Sequence, residues 1–335
     1  MTSLAVDPAT PAKKGRVPLS VVIIAENEEE WIRECIESVF AACRGVSAYE
    51  VILVDSASTD RTVERAAEYP ITILRIPEEH AISCGAGRYV GDRVASGEYV
   101  CHVDGDMTLT ETWLPRAMEY LYDHADAAAV EGCLDSSTQT DVREVNKVGG
   151  VMLYDAHALA EVGGFDPYLL GYEDVDVGFQ LKTAGYRLVR LPEVSAEHHD
   201  EGGAIAEPLR RWRQGYAVAP GQAIRKRARS PRVLRLLIGR QRYSLGLLAW
   251  LVAGVAAAAS RRRRRGWLLL SVAAFAAVAA RLGVPDAVGF VAAKAIGIVG
   301  LAVGLGRPTR RPESFPVSTV EVVAPGETFH GESSS

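Results

Sequence analysis

The 335-residue chain reads as an α/β protein with a mostly parallel central sheet, followed by a C-terminal hydrophobic helical region. Three observations lead there. From residue 18 to about 206, short β-rich runs alternate with helical stretches, the pattern of parallel strands joined by right-handed helical crossovers. Three apolar blocks follow, 244–260, 266–284 and 286–306, each close to the roughly 20 residues that a membrane span requires. The composition, 48% hydrophobic and 24% charged, suits a chain that buries a sizeable core. It excludes wholesale disorder, collagen-like repeats and a disulfide mini-protein.

The strands and helices follow in order. Residues 19–25 (LSVVIIA) are almost continuously apolar, as a parallel strand covered on both faces should be. Residues 29–43 predict a helix, with Trp31, Cys35, Ile36 and Val39 on one face. A second strand is expected at 50–54, with Ser58 capping the helix after it. Residues 71–76 give a third strand, 85–96 a helix, 98–103 a fourth strand and 173–184 a further helix.

Charge is unevenly distributed. The whole chain has 37 basic and 42 acidic residues, a net −5 that argues against a nucleic-acid binder. Residues 207–265, however, hold 16 Lys or Arg against one acidic residue, so an acidic body carries a basic belt. The five cysteines, Cys35, Cys43, Cys84, Cys101 and Cys133, have no C-x-x-C spacing and read as reduced thiols of a cytosolic compartment. Residues 1–16 contain no apolar run of the kind a cleaved signal needs.

In open α/β sheets, ligands bind beyond the carboxyl ends of the strands. Here three strands run into acidic clusters: Glu26-Asn27-Glu28, Asp55 to Asp60, and Asp104-Gly105-Asp106. Carboxylates gathered at one edge repel unless a cation sits among them. Their hard oxygens suit Mg²⁺ or Mn²⁺, which in turn neutralises a diphosphate. Neither G-x-G-x-x-G after the first strand nor a P-loop is present, which disfavours a dinucleotide fold and a P-loop NTPase.

Six segments in order, SVVIIAENEEE (20–30), VILVDSASTDRT (51–62), GAGRYVG (85–91), GEYVCHVDGDM (97–107), EVGGFDPYLLGYEDVDVGFQLKTAGYRL (161–188) and His198-His199, resemble family 2 glycosyltransferases of the GT-A fold. The resemblance covers residues 18–215. It implies an inverting, single-displacement transfer from a nucleoside-diphosphate sugar with a divalent cation as cofactor. It implies that Glu26 and Asp55 hold base and ribose, and that Arg88 lies near base or diphosphate. Asp104 would contact ribose or metal, Asp106 would bind the metal, and His198 or His199, with His198 preferred, would add a metal contact. Asp174 of Glu173-Asp174 would be the catalytic base. Chemistry agrees: a hydroxyl acceptor needs a carboxylate to take its proton, and the leaving diphosphate needs compensating charge. Two departures stand out. Processive relatives carry Q-x-x-R-W where this chain has Pro208-Leu209-Arg210-Arg211-Trp212, which favours transfer of a single sugar. Ala25-Glu26 also replaces the aromatic residue that many relatives have before Asn27.

The resulting map is a disordered 1–17, a catalytic domain at 18–215, a basic membrane-proximal segment at 216–243, membrane helices at 244–306 and a disordered, proline-rich tail at 307–335. The protein is expected in the cell membrane, multi-pass, with a cytoplasmic catalytic domain acting on a lipid-linked or other membrane-associated glycan acceptor. Arg261–Arg265 and Arg307, Arg310 and Arg311 favour two crossings, by 266–284 and 286–306, with 244–260 interfacial or re-entrant. The alternatives are a polyprenyl-phosphate glycosyl synthase and an inactive membrane scaffold.

Overall fold

β1 (Val17–Ala25) has every residue but one buried, and its side chains alternate between two cores. Leu19, Val21 and Ile23 pack with Ile32, Cys35, Ile36 and Val39 of α1 (Ile32–Ala42), and with Trp113, Leu114 and Ala117 of α4 (Trp113–Asp123). Val22 and Ile24 point the other way, against Ala86, Tyr89 and Val90 of α3 (Cys84–Val94). α3 lies close to the sheet: a Cβ on Gly91 would come within 2.3 Å of Val22 Cγ1, so only glycine fits there. These contacts belong to a computed structural model that describes residues 15–199 and 212–330.

The chain divides into two units, one of residues 1–169, 173–200 and 310–335, the other of 170–172 and 201–309. The first holds, besides the elements above, β2 (Ala48–Asp55), α2 (Thr62–Ala66), β3 (Thr72–Arg75), β4 (Gly97–Asp104), β5 (Met107–Leu109), β6 (Ala127–Leu134), β7 (Arg143–Val145) and β8 (Met152–Asp155). α5 (Ala156–Glu161), α6 (Glu173–Ala184), β9 (Arg187–His198), β10 (Glu321–Ala324) and β11 (Thr328–His330) complete it. One sheet runs in the order β10-β3-β2-β1-β4-β8-β6-β9-β5, with β11 beside β2 and β7 beside β9. The expected parallel arrangement holds for β3-β2-β1-β4. Beyond β4 the sheet is mixed: β8 is antiparallel to β4 and β6, β6 is parallel to β9, and β5 and β7 are antiparallel to β9. The helix of 173–184 is found over the expected residues as α6.

Two expectations are corrected. The proline-rich tail does not stay disordered: from Pro312 it forms two 3-10 turns and the strands β10 and β11. Its prolines hide four apolar residues, Phe315, Val317, Val320 and Phe329, that fill hollows at the sheet edge. Ser58 does not cap α2. Asp60 accepts the Thr62 N–H at 2.9 Å instead, while Ser58 Oγ accepts the Asn27 N–H. Residues 1–14, the Pro208 to Arg211 stretch and the last five residues lie outside the described residues.

In the second unit, α7 (Ala219–Lys226), α8 (Pro231–Arg240) and α9 (Arg242–Ala257) precede α10 (Arg261–Leu282) and α11 (Val284–Gly306). α10 and α11, of 22 and 23 residues, are long and apolar enough to cross a membrane, whereas α9, with 16, is shorter. The run Arg261–Arg265 forms the start of α10. Trp250 and Trp267 stack between α9 and α10, with Trp250 Nε1 donating to Ser271 Oγ at 2.9 Å. Gln241 Nε2 donates to Tyr172 Oη at 2.8 Å.

Candidate active site

The carboxyl ends of β1, β2 and β4 bring the predicted acidic residues to one edge of the first unit. Asp55 ends β2, directly beside Ala25 of β1. It is fully buried, accepts the Ser58 N–H through Oδ2 at 3.1 Å and faces Arg75 Nε at 3.5 Å. Its Oδ1 has no hydrogen-bond partner. Burial pushes this carboxyl above the usual Asp value against the pull of Ser58 and Arg75. Glu26, one residue past β1 and exposed, is also raised, by partial desolvation and then by Asp55. Asp60, by contrast, spends both oxygens on backbone N–H groups, those of Thr62 and Glu29, and is a loop brace.

Asp104 ends β4 and is ion-paired to Arg88 of α3, Nη2 to Oδ1 at 2.6 Å. Arg88 Nη1 reaches Glu173 Oε1, the first residue of α6, at 2.5 Å. Arg88 is only 4% exposed. Desolvation alone would lower its basicity, but Asp104 and Glu173 hold it above the ordinary arginine value. Burial raises the Glu173 carboxyl, and Arg88 opposes that. The expectation that Arg88 contacts base or diphosphate therefore meets a different geometry. Its guanidinium is a buried tie between the β4 end and the α6 start, because two carboxylates claim its outer nitrogens. The same tie takes one oxygen of Asp104.

Asp106 lies between β4 and β5, and the antiparallel register of β5 on β9 sets Met107 opposite His198. His198 Nε2 is 3.1 Å from Asp106 Oδ2. His199 turns the other way: its ring stacks on Trp31 at 4.1 Å, and its Nε2 lies 2.8 Å from Thr108 Oγ1. Successive residues of a strand point to opposite sides, so one histidine faces Asp106 and the other braces α1's entry. Burial and then Asp104 raise the Asp106 carboxyl, and His198 opposes them. Among the described residues no group of three or more His, Cys, Asp or Glu side chains converges as a cation site. A carboxylate and an imidazole at hydrogen-bond distance nevertheless fit an ion that takes its other ligands from a diphosphate and water, as Mg²⁺ and Mn²⁺ do.

Asp174, in the first turn of α6, is one-fifth exposed and paired with Lys147 Nζ. Lys147 lies in the segment before β8, where the Gly149 N–H donates to buried Glu131 at 2.6 Å and Arg190 pairs with the same carboxylate at 2.6 Å. Lys147 and Arg75 are the residues that sequence reasoning missed. Arg75 lies inside the strand expected at 71–76 and becomes a strand end only in the observed β3; Lys147 carries no motif, since only the fold brings it beside Asp174.

Comparison with known proteins bears on the family and the fold. The family described as Glycosyl transferase family 2 matches residues 20–154. The glycosyltransferase AglE of Haloferax volcanii is 28% identical over 203 residues, which are 54% of this chain and 66% of that protein. A dolichol-phosphate mannosyltransferase of Pyrococcus furiosus is 32% identical over 114 residues, 33% of this chain and 32% of the relative. The chain thus spans from about a third to about two thirds of the length of these relatives. A solved mannosyltransferase from Pyrobaculum calidifontis, in complex with GDP-Man and Mn²⁺, shares the fold with a TM-score of 0.57 at 22% identity, covering 87% of this chain and 89% of its own.

Proposed function

We propose that the chain, whose residues 20–154 match the family described as Glycosyl transferase family 2, is an inverting, metal-dependent glycosyltransferase. It moves one sugar from a nucleoside-diphosphate sugar to a hydroxyl of a membrane-associated, lipid-linked acceptor. The observation that carries the reading is the Asp106–His198 pair just past β4, whose last residue, Asp104, is tied through Arg88 to Glu173 at the start of α6, next to Asp174. Asp55 and Glu26 receive the nucleoside. Asp106 and His198 hold the divalent cation, which when bound offsets the charge of the diphosphate leaving group. Asp174 takes the acceptor hydroxyl's proton, while Glu173 and Arg88 fix the start of α6. An inactive scaffold would have no need for these positions to be filled.

The protein sits in the cell membrane through α10 and α11, with a cytoplasmic catalytic domain, as its arginine clusters favour. A second reading has an observation of its own: relatives named for dolichol phosphate and undecaprenyl phosphate match about a third of this chain. A phosphate acceptor is already anionic and needs no base. The test is a panel of nucleotide sugars with Mn²⁺ or Mg²⁺, scored for nucleoside-diphosphate release with lipid-linked hydroxyl and lipid-phosphate acceptors. No release from any donor, with either acceptor or with water alone, contradicts enzymatic function.

A further inference from the structure

We infer that the C-terminal tail is a strap of the catalytic domain, so that the chain crosses the membrane an even number of times and returns its tail to the catalytic face. This rests on the proposed membrane reading of α10 and α11. The tail begins after the last apolar helix, yet residues 310–330 belong to the first unit. Phe315, 4% exposed, sits among the rings of Tyr89, Tyr168 and His80 at 5.7, 5.9 and 6.0 Å. Val317 joins the core of Val22, Ile24 and Ile52.

Backbone pairing is more demanding still. β10 runs antiparallel to β3, with Glu321 opposite Arg75 and Val322 opposite Leu74. Where β3 stops, β11 takes over on β2, with Thr328, Phe329 and His330 opposite Glu50, Tyr49 and Ala48. Phe329 packs on Tyr49 at 5.0 Å and Phe40 at 5.1 Å. Between the strands, the Gly326 N–H donates to Thr72 Oγ1 at 3.1 Å, and a Cβ there would come within 2.2 Å of the Thr72 nitrogen. The strap therefore covers the unpaired edge of the strand that presents Arg75 to Asp55, an edge otherwise open to foreign strands.

Strands of one sheet exchange hydrogen bonds only within one compartment. β2 and β3 precede the apolar helices and β10 and β11 follow them, so the crossings between must be even in number. α10 and α11 supply two. α9, with 16 residues, rises about 24 Å, short of the roughly 30 Å hydrocarbon core. A third crossing through it would put the tail across the bilayer from its partner strands. Two crossings also leave Arg261–Arg265 and Arg307, Arg310 and Arg311 on one side, with only the turn around Gly283 on the other.

The full chain, carrying one epitope before Met1 and another after Ser335, is tested in sealed inverted vesicles and in right-side-out spheroplasts. The expected result is that protease removes both epitopes from the inverted vesicles and neither from the spheroplasts. Opposite protection of the two epitopes overturns the inference. A second arm uses Ala48→Cys with His330→Cys in the same membranes. Oxidation should link the N- and C-terminal fragments left by limited proteolysis, and fragments that separate without reductant overturn the strap. Alkaline carbonate separates the two levels: a chain that it extracts refutes the membrane reading itself, whereas a retained chain with opposed epitopes refutes only the strap.

Discussion

At the strand ends of the parallel half, Asp104 is tied to Arg88, but Asp55 and Asp106 are compensated only in part, by Arg75 at 3.5 Å and by His198 at 3.1 Å. Asp106 and Asp55 are pushed up mainly by burial, Glu26 by partial desolvation and Asp55, and Asp55 keeps a buried oxygen without a partner. In the antiparallel half and on α6, three acidic groups already have a cation beside them: Glu131 has Arg190, Asp174 has Lys147 and Glu173 has Arg88. The difference teaches what the ligand has to bring. On the proposed reading the first half is completed by positive charge and donor groups that a metal-bound nucleotide would bring, whereas Glu131, Glu173 and Asp174 already have their cations in the free protein.

The sharpest break in this comparison comes from Asp174→Asn. It keeps the shape of the antiparallel half but removes its base, so donor and metal binding persist while transfer to a hydroxyl acceptor falls by about 10²–10⁴-fold in kcat. Transfer at the wild-type rate to a hydroxyl would refute the assignment, whereas undiminished transfer to a lipid phosphate would favour the second acceptor class. Arg88→Leu attacks the tie between the halves. It leaves Asp104 and buried Glu173 unpaired, and loss of one partner of a buried pair costs about 3–5 kcal/mol. Denaturant unfolding with an unchanged midpoint would show that the tie is dispensable.

Asp55→Asn sharpens the contrast through pH. The folded chain holds the Asp55 proton to higher pH than the unfolded chain, so stability from this group is lost as pH rises from the usual Asp range through the raised folded value. The amide escapes that loss. The variant should melt higher than wild type at pH 7, with the gap closing toward pH 4, and should bind nucleotide more weakly. Equal melting at both pH values contradicts the burial account. The smallest effect is expected for Lys147→Met: the pair is part-exposed, so its loss is worth about 1 kcal/mol or less, a few-fold in transfer, with donor affinity unchanged.

How far the sequence discloses all this follows the same division. β1 and the inner parts of β2 (residues 51–54) and β4 (residues 99–103) are buried and mostly apolar, and the acids at their ends are visible once the strands are placed. Asp174 is legible because a motif and a helix start coincide. What was hidden depends on pairing. His198 and His199 are equivalent until the β5–β9 register is known, Arg88 reads as a ligand contact until Asp104 and Glu173 are brought around it, and Lys147 has no local signature at all. The tail misleads because short edge strands such as Glu321–Ala324 draw their order from the sheet they join rather than from their own periodicity.

The central claim is that the acidic edge is completed by a cation held at Asp106 and His198, and titration calorimetry of a nucleoside diphosphate with and without Mn²⁺ tests it most directly. The account predicts metal-dependent binding in the wild type, and no gain from Mn²⁺ in Asp106→Ala, where the diphosphate meets uncompensated carboxylates. Equal affinity with and without the metal in the wild type, or an undiminished metal effect in the variant, would contradict it.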